Sequence, residues 1–140
     1  MKTSACLVLA LLLASISQAA PPKPPPVNHP ILGTWTFTLL NGKCSETYAL
    51  RQNGTMSATS GDEVAEAAYE ISAKPSAKGF YRWVVKITKD NGKKDCAGQV
   101  MQLGHEATNF VRIDSSEMIV CERESLDACV GPFRRPPGNS

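Results

Sequence analysis

After Leu13 the 140-residue sequence has no second long apolar run, only two histidines, and no strong excess of either charge. Each shortage removes a class of protein. A bilayer-spanning helix needs roughly 20 apolar residues, so the chain beyond its leader is expected to be soluble, with no membrane span. Lys and Arg number 15 against 13 Asp and Glu, and the basic clusters Lys93-Lys94 and Arg134-Arg135 are pairs rather than patches. Nothing here calls for nucleic acid or an anionic membrane as partner. No G-x-S-x-G, H-E-x-x-H, P-loop or G-x-G-x-x-G segment occurs, so no enzyme is expected. Neither His29 nor His105 neighbours a cysteine, and the closest cysteine spacing is Cys121-x7-Cys129. Zinc sites use tighter pairs such as C-x2-C. Neither metal nor cofactor is therefore expected.

What is present begins with an export signal. Met1-Lys2-Thr3 gives a positive start, Leu7–Leu13 a compact apolar run, and Ser17-Gln18-Ala19-Ala20 a small-residue cleavage site. Residues 1–20 read as a signal peptide cut after Ala19 or Ala20, with Cys6 leaving in it. The rival, an N-terminal anchor, is disfavoured by the prolines that follow. Losing Lys2 takes the Lys and Arg count from 15 to 14 and the net charge from +2 to +1. About 120 residues remain, enough for one domain that buries roughly two-thirds of its unfolded surface. Cys44, Cys96, Cys121 and Cys129 stay behind, an even set that in an exported domain reads as two disulfides. The expected location is periplasmic or secreted, and the expected state monomeric.

Pro21–Pro30 carries six prolines in ten residues, which favours extended polyproline II over sheet. It reads as a stiff linker, with a proline-recognition ligand as the lesser alternative. The domain is expected over 31–133, followed by a disordered tail over 134–140.

Alternation governs that domain. Trp35, Phe37 and Leu39 alternate with Thr34, Thr36 and Thr38, as in a half-buried strand. Asn41-Gly42 is a strong hairpin signal, and a two-residue loop there sets Phe37 opposite Glu46 and Trp35 opposite Tyr48. Asn53-Gly54 divides Glu46–Arg51 from Thr55–Thr59. Further strands are expected over Glu66–Ser72 and Tyr81–Thr88. Asp90-Asn91-Gly92 then leads into Asp95–Leu103, followed by Asn109–Ile113 and Met118–Glu122. Asp62–Glu70 tolerates helix but continues the Tyr/Ile alternation and is kept as strand. About eight strands with short turns predict an all-β, antiparallel up-and-down meander, closed into a barrel so that no edge is left exposed. A two-sheet sandwich is the alternative.

A two-residue turn at Asn91-Gly92 would set Ile87 opposite Cys96 and Trp83 opposite Val100. In an eight-strand meander that turn and the Asn41-Gly42 turn lie at the same end. Cys44–Cys96 is therefore the favoured bridge, with Cys121–Cys129 clasping the C-terminal segment. Asn53-Gly54-Thr55 also matches an N-glycosylation sequon, although the turn explains it more simply.

Gly33-Thr34-Trp35 resembles the G-x-W start of lipocalins and the wider calycin group. Tyr48-Ala-Leu-Arg-Gln-Asn-Gly-Thr55 and Tyr69-Glu70-Ile71 are similar to elements of small bacterial lipocalin-like domains. The resemblance spans Leu32 to Arg123. It implies a barrel closed at one end by Trp35, which Gly33 introduces and an arginine covers, either Arg123 or Arg134. Such stacking contributes about 0.5–2 kcal/mol. The chain lacks the family's T-D-Y element and ends in an unusual ESLDACVGPFRRPP segment.

Glu46 is the most informative single residue, because its register puts a carboxylate on the inner face, where it needs a partner. Arg51 and Arg112 are candidates, and a bulge turning Glu46 outward is the alternative. Trp35, Phe37, Tyr48, Tyr69, Trp83 and Phe110 either line a ligand cavity with Glu46 or fill a dry core. Two functions lead, ahead of a purely structural role without a ligand and of an unrecognised enzyme. One is a binding protein for a small apolar or amphipathic ligand. The other is an inhibitor or immunity protein acting on an envelope enzyme or toxin, reading its partner through Gly61–Ala65, Lys74–Lys78 or the C-terminal ACVGPFRR segment.

Overall fold

The computed structural model describes residues 20–138, so the leader reading of residues 1–19 lies outside it. Eight antiparallel strands follow one another: β1 (Gly33–Thr38), β2 (Ser45–Leu50), β3 (Thr55–Ser60), β4 (Glu63–Ile71), β5 (Tyr81–Asp90), β6 (Glu106–Ile113), β7 (Glu117–Cys121) and β8 (Cys129–Arg134). They pair in sequence order, and β8 returns to β1 at Thr36↔Arg134, closing a barrel. Among the described residues there is no helix.

The first hairpin has the expected register, with Trp35↔Tyr48 and Phe37↔Glu46. The β5–β6 connection differs. Asp95–Leu103 is a loop rather than a strand, and β5 pairs instead with Glu106–Ile113, so that Trp83 faces Asn109 and not Val100. Turn chemistry explains the change. The Asp95 carboxylate accepts the Ala97 and Gln99 N–H groups, and Gly92, Gly98 and Gly104 all take positive φ. Asx-type turns and left-handed glycines compete with a ladder and win here. The eighth strand comes from Cys129–Arg134, so Arg134 is part of the barrel.

Both disulfides have formed, Cys44–Cys96 and Cys121–Cys129. Cys44–Cys96 joins the β1–β2 turn to the β5–β6 loop, even though the register expected for Cys96 does not exist. The shared barrel end was sufficient to bring the two together. Both bridges suit an oxidising compartment.

Pro21–Pro30 lies along the barrel rather than standing free. Pro25 is buried and its carbonyl accepts the Gln52 side-chain N–H at 2.6 Å, and the Lys23 N–H reaches Glu70. His29, also buried, accepts the Ile31 N–H at Nδ1, which leaves Nε2 to donate to the Ser72 carbonyl.

The opposite end from the disulfides is sealed. Trp35 is fully buried and its indole N–H donates to the Ile31 carbonyl at 2.8 Å. The cation over its ring is Arg135, 4.0 Å from the centroid, and neither Arg123 nor Arg134. Arg123 pairs with Asp127 on the surface, and Arg134 with Glu117. Strand alternation is the reason. Phe133 points inward and Arg134 outward, so the next residue, Arg135, crosses the barrel end. Its guanidinium is held by the Leu32 and Pro30 carbonyls. Gly33, at φ 105°, leaves the necessary room, since a Cβ there would lie 2.7 Å from Arg135 Nη1.

Candidate functional site

Above the core of Trp35, Leu50, Tyr69, Val111, Met118 and Phe133, the disulfide-bearing half of the barrel is not filled. A cavity of about 300 Å³ lies there. Its apolar wall includes Met56, Trp83, Val85 and Ile87, and small residues, Ala58, Ala65, Ala67 and Ala107, make the space. Alternation on β3, β4 and β6 places those alanines inward, where larger side chains would have filled the barrel. Asp95, Met101 and His105 reach it from the β5–β6 loop that Cys96 anchors.

Glu46 does face the interior. It is held by two hydroxyls, Tyr48 Oη donating to Oε2 at 2.9 Å and Ser60 Oγ donating to Oε1 at 3.1 Å. The arginines considered for it lie elsewhere: Arg51 pairs with Glu66, and Arg112 stands over Phe80. Ser60 Oγ in turn accepts the Cys96 N–H at 3.0 Å, wiring the disulfide loop to the Glu46 carboxylate. Burial and the neighbouring Glu46 carboxylate hold the Tyr48 phenol far above its usual range, with Glu63 and Asp95 adding to the effect. Tyr48 therefore remains a donor.

Glu63 sits opposite Ser60 across a two-residue turn. The turn begins with Gly61 at φ 60°, where a Cβ would stand 3.3 Å from Cys44 Sγ. Glu63 is only 4 % exposed. Burial, followed by the adjacent Asp90 and then by Asp95 and Glu46, pushes its carboxyl up to about 7. Glu63 Oε1 and Asp90 Oδ2 are buried without hydrogen-bond partners, as is Trp83 Nε1. A β5 bulge at Thr88 shifts the register between Glu66 and Ala67 and brings Asp90 opposite Ala65.

Of the residues expected to line a cavity, Glu46, Tyr48 and Trp83 do so. Tyr48 and Trp83 pack with ring centroids 5.9 Å apart and planes tilted by 60°. Trp35 and Tyr69 belong to the sealed end. The Tyr69 hydroxyl donates to the Arg51 carbonyl, and burial pushes that phenol up to about 12. Phe37 packs on Phe133 at 5.3 Å. Phe110 is paired with Arg82 and Cys121, on the face opposite to Asn109 and Val111. Sequence reasoning missed Ser60, Glu63, Asp90 and Asp95. Running the Ala67–Tyr69–Ile71 alternation backwards to residue 63 would have found Glu63, whereas no pattern announces the bulge that turns Asp90.

Among the described residues, no grouping of His, Cys, Asp and Glu is arranged to hold a metal ion, and no helix is long and apolar enough to cross a membrane. No protein-family model, curated protein or solved structure matches the chain.

Proposed function

We propose that this is an exported, non-enzymatic, lipocalin-like binding protein that holds a small apolar or amphipathic ligand in the half of its barrel bearing the disulfides. The observation carrying this reading is the cavity itself. Its volume of about 300 Å³ falls at the lower end of the usual range for small-molecule sites, about 300–1,000 Å³. It combines apolar walls with a few polar groups, and buried polar atoms left without partners inside it are atoms a ligand can satisfy. The sealed Trp35 end, with Gly33 and Arg135, supports the lipocalin-like resemblance, and the signal-like sequence of residues 1–20 together with the disulfides supports export.

Native mass spectrometry of protein purified from its own host tests this reading. The expected result is a retained small-molecule adduct that disappears in Ala58→Phe, which fills the cavity. Protein that is adduct-free, and that also gains no stability from any small apolar or amphipathic compound in a thermal-shift screen, would overturn it.

A second reading, protein recognition by an inhibitor or immunity protein, is favoured by the rim. Leu40, Val100, Leu103, Leu126 and Val130 are exposed at the disulfide-bearing end, Leu40 completely. Exposed apolar residues gathered at one end suit a protein contact. An envelope protein captured by the wild type but not by Leu40→Asp/Leu103→Asp would support this reading.

A further inference from the structure

In the lining of the cavity, carboxylates outnumber basic groups, and the His105 imidazole is the one basic side chain. Glu46, Glu63 and Asp95 all line it, Asp90 adjoins Glu63, and no lysine or arginine is among the lining residues. Such an arrangement opposes the fatty acids and other anions that an apolar barrel would otherwise accept, because an anion here would meet three carboxylates and neither a lysine nor an arginine. A metal ion is also a poor fit, since the described carboxylates do not converge as ligands. The walls add a second selection. Tyr48 and Trp83 line the cavity with ring centroids 5.9 Å apart and planes tilted by 60°, and Met56, Ile87 and the alanines offer no hydrogen bonds. Glu63 Oε1, on a residue nine-tenths buried, still lacks a donor.

We propose that the cavity takes a small organic cation, with an ammonium head at the Glu63 carboxylate, in the acidic lining it shares with Glu46 and Asp95, and an apolar body against Trp83, Met56 and Ile87. An ammonium brings N–H donors to a set of carboxylates in which Glu63 Oε1 has none, through charge-assisted hydrogen bonds, and the Trp83 and Tyr48 rings beside it add cation–π attraction. The methylene or aromatic body displaces water from apolar wall. Glu46, already fixed by Tyr48 and Ser60, supplies a carboxylate whose orientation is set before binding, which lowers the ordering cost. This inference rests on the small-molecule reading above and specifies the chemical class of the ligand.

Three compounds with one eight-carbon body separate the two claims: octylammonium, octanol and octanoate, titrated calorimetrically into the full-length mature protein with disulfides intact at pH 8. The expected order is octylammonium tightest, by at least about tenfold over octanol, with octanoate weakest. Glu46→Gln and Glu63→Gln should each narrow the gap between ammonium and alcohol severalfold while leaving octanol unchanged. Octanol or octanoate binding as tightly as the ammonium would overturn the cation assignment and leave the small-molecule reading standing. Failure of all three to bind folded protein would remove both. The comparison needs only the wild type, so a variant that does not fold leaves the test intact.

Discussion

Replacing Glu63 by glutamine isolates the energetic cost of the cavity's acidic lining. Glu63 is 4 % exposed, and its carboxyl is raised from 4.5 to about 7. At about 1.4 kcal/mol per pH unit, ionising it in the folded protein costs about 3 kcal/mol. The sign follows from linkage. The folded state holds this proton more tightly than the unfolded chain, which releases it near 4.5. Wild-type stability should therefore be free of the penalty below pH 4.5, fall as the pH rises from 4.5 to 7, and carry the whole penalty above 7. Glutamine has the shape of the protonated acid and can donate to Asp90, whose Oδ2 has no partner. Glu63→Gln should match the wild type at pH 4 and exceed it by about 3 kcal/mol at pH 8.5. Guanidinium chloride unfolding of both proteins across that range, without reductant, measures the gap directly. Taking the difference between the two proteins cancels other titrating groups. A gap that is constant with pH, or a variant less stable at pH 8.5, would refute the assignment of a buried, electrostatically strained carboxyl.

Other consequences concern the rest of the barrel. Arg135→Ala should lower stability by about 1–2 kcal/mol in thermal unfolding, because the Trp35 ring loses a half-buried cation and two carbonyls lose donors; Arg134→Ala, removing an exposed pair, should cost less than about 1 kcal/mol. Joint replacement of Cys44 and Cys96 by alanine releases a bridge of 52-residue separation, worth about 4 kcal/mol on the chain-entropy account. That variant should also lose hydrogen-exchange protection at Ala97 and Gln99. The His29 ring is held below its ordinary value by burial. Its contribution to stability should be complete above pH 6.5 and decline as the pH falls below it, with NMR titration of the ring placing the midpoint below 6.5.

Much of the barrel could be read from side-chain period and turn type. The Asn41-Gly42 and Asn53-Gly54 hairpins and the inward Trp35, Glu46 and Tyr48 follow from alternation, whereas the Cys44–Cys96 pairing follows only from which turns share an end. What could not be read depended on departures from that period. Asp95–Leu103 carries enough apolar residues for a strand, but Asp95 binds its own downstream amides and three glycines bend the chain away. The Thr88 bulge shifts Asp90 onto the inner face without a sequence mark. A further bulge in β8, between the pairs Val120↔Val130 and Met118↔Phe133, sets the phase that makes Arg135 rather than Arg134 the cover for Trp35. One inserted residue reverses every later inward assignment.

The distribution of these departures has a physical logic. At the Trp35 end each polar group is answered: the indole by Ile31, the guanidinium by two carbonyls, His29 by two backbone groups. At the other end three buried polar atoms stay unanswered, alanines occupy inward positions and Glu63 opposes folding above neutral pH. Both covalent cross-links lie at that same end. A bridge worth about 4 kcal/mol by chain entropy is of the same size as the cost of ionising Glu63, so the disulfide end can keep an acidic cavity and remain folded. A barrel selected for stability alone would fill that half with leucine and valine. Retaining carboxylates and small side chains beside the cross-links suits the proposed binding role, because the Glu63 carboxyl that opposes folding is a group the proposed cation would satisfy.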